Sequence, residues 1–153
     1  MSHASVVLVV DNDGDTVLVQ DPKWDQDINK LPGGKSLPGE SAAETAVREL
    51  EEETGLRVET SKLVPVNDED RGNHHFYTMF THIEGSLVEM KNKGLLKKIG
   101  DEGEIVKIFK LSDIYMMAEG HSSLRFLESH YLPERGGVKH KVEELICQMP
   151  QAV

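Results

Sequence analysis

Cysteine is nearly missing from this chain: Cys147 is the only one among 153 residues. One thiol excludes an intrachain disulfide and any zinc site built on several thiolates. Its neighbours Leu145, Ile146 and Met149 give an apolar helical context, so Cys147 reads as a buried, inert thiol. Long apolar runs are absent too, and none approaches the roughly 18 residues needed to span a bilayer. The N-terminus has no basic region, and the apolar run 6–10 is too short for a signal-peptide core. A soluble, cytoplasmic protein with no membrane partner is expected. Positive charge is scarce, with 17 Lys and Arg against 27 Asp and Glu and a net charge of −10. That balance argues against broad electrostatic binding to duplex nucleic acid. It argues less against an enzyme that meets one nucleotide or one RNA end, because a bound cation changes the local sign. Repeats, low-complexity segments and linkers are also lacking. With 38% hydrophobic residues the chain can bury one core, and a single domain over 1–153 is expected.

Two β-branched runs, 5–10 and 16–20, flank Asp11-Asn12-Asp13-Gly14-Asp15, a strong hairpin signal. Leu31-Pro32-Gly33-Gly34 then breaks regular structure. The stretch 56–66 reads as a strand with polar interruptions, 74–83 as a longer strand rich in aromatic residues, and 104–110 as a half-buried strand. The last third looks helical, with Leu111-Ser112-Asp113 capping a short helix and further helices over 122–131 and 139–149, separated by Gly136-Gly137. Strands mixed with helices imply a layered α/β or α+β fold with a mixed sheet.

The chemistry concentrates in 34–56. Ser41 and Glu44 form a capping box at a helix start, and Gly55 is placed to end that helix in a left-handed conformation. Ala43, Ala46, Val47, Leu50 and Thr54 recur at helical spacing as the expected buried stripe. Arg48, Glu49, Glu52 and Glu53 take the other side, and the three acids share about one turn. Like charges so placed destabilise a helix, so a cation is expected beside them. Three carboxylates can offer hard oxygen ligands to Mg²⁺ or Mn²⁺, with waters completing the shell. Gly33, Gly34 and Gly39 in the preceding loop allow close backbone approach to a metal or phosphate.

In order, Gly34, Glu40, Arg48, Glu49, Leu50, Glu52, Glu53, Gly55 and Leu56 fill every specified position of G-x5-E-x7-R-E-U-x-E-E-x-G-U, with U a bulky aliphatic residue. The chain thereby resembles the Nudix hydrolases. The resemblance implies an α/β/α sandwich with a mixed sheet, and hydrolysis of a nucleoside diphosphate linked to another group with Mg²⁺ or Mn²⁺. It places metal on Glu52, Glu53 and Glu49, with Glu49 alternatively a base, and lets the Gly34 carbonyl add a ligand. Glu40 and Arg48 would support the loop and orient carboxylates, helped by Gly33 and Gly55. A catalytic base in such enzymes often comes from a later loop. Asp101-Glu102-Gly103-Glu104 fits, with Glu104 preferred to Glu102.

Substrate contacts are less sharply marked. Trp24 and Tyr77 could stack on a base or simply pack, and Lys97 and Lys98, with Lys91 and Lys93, could guide phosphates or serve as a solvated face. His74, His75 and His82 lack a metal-binding spacing. The compact chain favours Nudix enzymes acting on a nucleoside triphosphate or the 5′-triphosphate end of RNA. A nucleotide sugar, ADP-ribose or a dinucleoside polyphosphate is the alternative, and a catalytically silent nucleotide sensor competes from another class. The expected partner is a nucleotide or nucleotide-capped substrate, including an RNA 5′ end, and a homodimer is compatible with the chain.

Overall fold

The computed structural model describes residues 2–23, 29–70 and 72–118. β1 (Ser2–Val10) runs through the middle of a seven-stranded mixed sheet. It turns through Asp11–Gly14 into β2 (Asp15–Gln20), the hairpin that the Asp/Asn/Gly segment predicts, with Val10 opposite Thr16. The two strands then diverge. Into the gap come β3 (Asn29–Lys30), paired with β2, and β4 (Gly33–Lys35), paired antiparallel with β1. The expected break over Leu31-Pro32-Gly33-Gly34 occurs at Leu31-Pro32, between β3 and β4, and is corrected for Gly33-Gly34, which are strand. A Cβ on Gly33 would lie 2.1 Å from the Ser5 carbonyl oxygen and 2.5 Å from Val6 Cα, so only glycine lets β4 approach β1 this closely.

Helix α1 (Ala42–Thr54) follows, with the capping box at Ser41 and Glu44 and left-handed Gly55 both as predicted. After it the expected strand over 56–66 is also corrected. Polar Thr60-Ser61-Lys62 form a 3₁₀ turn closed by Lys62 N–H on the Glu59 carbonyl, and β5 spans Val64–Asp70. β6 (His74–His82) pairs antiparallel with β5 and parallel with β1, and β7 (Ile105–Lys110) pairs antiparallel with β2. A short helix, α2 (Leu87–Asn92), has no counterpart in the sequence reading. Its signal is Ser86, whose hydroxyl accepts from Glu89 N–H at 3.2 Å. The short helix predicted after β7 is α3 (Leu111–Ala118). The helices expected over 122–131 and 139–149, and Cys147, lie outside the described residues.

Alternation along β1 divides the core between the two faces of the sheet. Val7 and Val9, with Val17 and Met79, pack under α1 through Ala46 and Leu50, and with Leu87 and Leu96. Leu8, Val10, Leu18 and Phe80 face the other way, against Leu111 and Ile114 of α3. Helices on both faces of a mixed sheet make the expected α/β/α arrangement. No helix among the described residues is long and apolar enough to cross a membrane.

Candidate active site

The buried side of α1 consists of Thr45, Ala46, Leu50, Glu53 and Thr54, while Ala43 and Val47 are only half-buried. The stripe is thus rotated from the one that hydrophobicity predicts. The rotation carries Glu53 inward to 4% exposure and leaves Glu49 and Glu52 at the margin. Burial pushes the Glu53 carboxyl up to about 8, against the pull of Lys30 and of the Gly33 N–H, which donates to Oε2 at 2.9 Å. Glu49 is raised as well, chiefly by burial, with Arg48 opposing.

Arg48 answers part of the crowding. Its guanidinium bonds both oxygens of Glu40, at 2.7 and 3.1 Å, and reaches Glu49 at 3.1 Å, Glu52 at 3.0 Å and the Lys35 carbonyl at 2.9 Å. Glu40 also accepts from Leu37 N–H and from the Thr45 hydroxyl, and its carboxyl is held down at about 2, chiefly by the Arg48 hydrogen bonds. Strand β4, the 36–41 loop and α1 are thereby tied at one point. Gly34 lies against Glu49: a Cβ there would fall 2.7 Å from the carboxyl carbon. A side chain at that position would push Glu49 from its place.

Six carboxylates line one cleft of about 130 Å³: Glu49, Glu52 and Glu53 from α1, and Asp101, Glu102 and Glu104 from the loop before β7. Both candidate bases from that loop therefore reach the helical acids. Glu104 is buried at 6% exposure, and its Oε1 accepts the Glu102 N–H at 3.1 Å. Asp101 and Gly100 complete the arrangement without having been singled out. Asp101 was legible within the acidic turn, whereas Gly100 carries no mark beyond standing just before it. A Cβ on Gly100 would lie 2.7 Å from Glu104 Oε1 and 2.8 Å from the Glu53 carbonyl oxygen.

Other candidates lie apart from the cleft lining. The Tyr77 ring rests against His75 and His3, and His75 in turn bonds Asp68. Lys97 has its ammonium on the Glu52 carbonyl at 3.1 Å and on Asp101 at 2.6 Å. Exposed Lys98 borders a separate, largely aliphatic groove with Lys91, Leu96 and Ile105. Trp24, like Arg71, Arg135 and Lys139, lies outside the described residues.

The donor set suits a hard divalent cation: six carboxylates converge, and burial and mutual repulsion raise two of them. Among the described residues, though, the one trio of acids whose ligand atoms lie within 4.8 Å is Asp11, Asp13 and Asp15 in the hairpin turn. Both oxygens of Asp11 there already accept backbone N–H groups, from Asp13 and Asp15 and from Leu87 at the start of α2. The six cleft acids hold no trio that close.

Comparison with known proteins places the fold. The chain is 34% identical over 87 residues to a putative 8-oxo-dGTP diphosphatase of Bacillus subtilis, covering 55% of each chain. It is 44% identical over 55 residues to the mouse nucleoside diphosphate-linked moiety X motif 6, covering 36% of this chain and 18% of that protein. The chain thus spans about half or less of the curated relatives it matches. A solved MutT structure from Bacillus halodurans superposes with a TM-score of 0.55 at 25% identity, covering 78% of this chain and 72% of the other. One from work on the Aliivibrio salmonicida and Vibrio cholerae MutT proteins gives 0.57 at 23% identity, covering 75% and 84%. The NUDIX domain model matches residues 1–127, and with that match the chain belongs to the Nudix family.

Proposed function

We propose that this chain is a metal-dependent pyrophosphohydrolase that cleaves a phosphoanhydride bond in a nucleoside triphosphate or in the 5′-triphosphate end of RNA. The observation that carries the reading is the convergence of acids from a helix and a loop on one cleft. The fold brings the two sets together, although they lie far apart in sequence. The similarity to a putative 8-oxo-dGTP diphosphatase favours a free nucleoside triphosphate over a nucleotide sugar, ADP-ribose or a dinucleoside polyphosphate.

Glu49, Glu52 and Glu53 would hold Mg²⁺ or Mn²⁺, with the Gly34 carbonyl close by. When bound, the metal neutralises phosphate charge and makes hydroxide available near neutral pH. The protein's own groups do the rest. Arg48 and Glu40 fix the loop that presents Gly34 and orient Glu49 and Glu52. Glu104, steadied by the Glu102 N–H, is the base that takes a proton from the attacking water. The water oxygen bonds to phosphorus, the bridging P–O bond breaks, and the departing phosphate oxygen keeps the electron pair. All six acids are the chain's own, and no second subunit enters this account.

The test is a panel of GTP, 8-oxo-dGTP, ADP-ribose, a nucleotide sugar, a dinucleoside polyphosphate and 5′-triphosphate RNA, compared by kcat/KM with products identified. Pyrophosphate released from a nucleoside triphosphate or from RNA is the expected result. Nucleoside monophosphate plus sugar phosphate as the only products would select the alternative, and turnover in EDTA would remove the metal from the scheme.

A further inference from the structure

The acidic loop does not merely approach α1; it is fastened to the helix's last turn. A helix leaves its final carbonyls without donors of its own. Here Gly55 N–H donates to the Glu51 carbonyl at 2.9 Å, and the loop supplies donors for two more. Lys97 N–H donates to the Thr54 carbonyl at 2.9 Å, and Asp101 N–H to the Glu52 carbonyl at 3.1 Å. The Lys97 ammonium joins both partners, donating to the same Glu52 carbonyl at 3.1 Å and to the Asp101 carboxylate at 2.6 Å. Two glycines make room for this. A Cβ on Gly55 would meet Lys97 Cγ at 3.3 Å, and one on Gly100 would meet Glu53 Cα at 3.0 Å. The residue that ends the helix also seats the lysine that docks the loop.

We propose that Lys97 is a positioning residue. By holding Asp101 on the Glu52 carbonyl, it sets the separation between the helical acids Glu49, Glu52 and Glu53 and the loop acids Glu102 and Glu104. The role in turnover rests on the hydrolase reading above; the docking of the loop does not. A half-exposed ion pair contributes little to global stability. Geometry in a reacting site is far less forgiving, since a displacement of about 1 Å can cost on the order of 100-fold in rate. The two magnitudes separate the possibilities: a helix-end contact alone would alter melting slightly and leave turnover intact, whereas a spacer alters turnover first.

The experiment uses Lys97→Met, which keeps the apolar stem over Gly55, and Lys97→Arg, which keeps donors. Steady-state kinetics on the full chain should show kcat lowered by about 10- to 100-fold in Lys97→Met with KM unchanged, and most of it restored in Lys97→Arg. Hydrogen exchange on metal-free protein gives a readout besides activity. The amides of residue 97 and Asp101 should lose protection by about 10-fold or more in Lys97→Met, while β1 and β6 keep theirs. Asp101→Ala, which removes the same contact from the other side, should raise exchange at residue 97 likewise. Wild-type kcat in Lys97→Met, or a fall in kcat without loss of Asp101 protection, overturns the proposal. Were the wild-type chain to hydrolyse no member of the panel, the hydrolase reading would fail, and exchange would still decide whether Lys97 docks the loop.

Discussion

Glu53 lends itself to a test that needs no substrate. Its carboxyl stands at about 8 in the folded chain against an ordinary 4.5, because burial penalises the charge. The folded state therefore holds a proton that the unfolded state has released. Stability from this group is present in full below about pH 4.5 and is lost as pH rises toward 8. Within that window each pH unit is worth about 1.4 kcal/mol, so going from pH 5 to pH 7 removes about 3 kcal/mol. In a domain of this size that lowers Tm by about 6–12 °C. Glu53→Gln keeps the shape and an acceptor for the Gly33 N–H but cannot ionise. Thermal unfolding of both proteins in EDTA should therefore show the variant gaining on wild type as pH rises, with the two nearly equal at pH 4.5. Subtracting one curve from the other removes the groups that both share. Saturating Mg²⁺ at pH 7.5 should raise the wild-type Tm and leave the variant nearly unmoved. Parallel curves from pH 5 to pH 8 would refute the buried, proton-holding carboxyl, and an equal Mg²⁺ response would refute its part in holding metal.

Three further outcomes follow from the same geometry. Glu52→Gln should lower Mg²⁺-dependent hydrolysis by about 100-fold or more with an unchanged circular dichroism spectrum; unimpaired turnover would sink its place at the metal. Glu40→Gln removes the main partner of the half-buried Arg48 and should cost about 2 kcal/mol at pH 7, read by urea unfolding. Because the Glu40 carboxyl lies at about 2, its contribution is present above pH 4.5 and lost as pH falls through 2, so the gap from wild type should close in acid. Gly34→Ala places a methyl group 2.7 Å from the Glu49 carboxyl carbon and should lower kcat by about 10-fold or more with little loss of Tm; a marked fall in Tm with kcat kept would show that Glu49 holds its place and the backbone yields instead.

Most of the first half of the site could be read before folding. Ser41, Glu44 and Gly55 mark the helix ends by local hydrogen bonds and a left-handed backbone, which need no tertiary information. The Asp/Asn/Gly turn marked the hairpin for the same reason. The face of α1 was less legible: Ala43 and Val47 are apolar enough to be placed inside, yet the helix buries Thr45 and Glu53 instead. Glu53 there accepts the Gly33 N–H from β4, a tertiary contact about which hydrophobicity carries no information. Gly33 and Gly34 read as a break because glycine weakens isolated strands, whereas here it allows a short strand to lie against β1. Charge alone left Lys97 either a phosphate guide or part of a solvated face; its bond to the Glu52 carbonyl joins residues 45 apart in sequence.

The acids sit at the end of the helix where they should be least welcome. The C-terminal end of α1 carries partial negative charge, and its last turn contains no basic residue. Anions placed there lose about 0.3–1 kcal/mol each relative to a neutral setting. Three cations relieve part of this: Arg48 bonds Glu49 and Glu52, Lys97 bonds the Glu52 carbonyl, and Lys30 pulls on Glu53 against its burial. Neither Arg48 nor Lys97 bonds the side chain of Glu53 or Glu104. Those two are the most buried acids of the cleft, so solvent screens them least. A divalent ion arriving there gains from the carboxylates and the helix end together, and it relieves the burial cost that holds Glu53 protonated. A further lysine placed among the acids would stabilise the fold at neutral pH, but it would leave no position for an exchangeable cation beside a phosphate. The same burial that holds a proton on Glu53 is therefore what would draw the metal into the cleft.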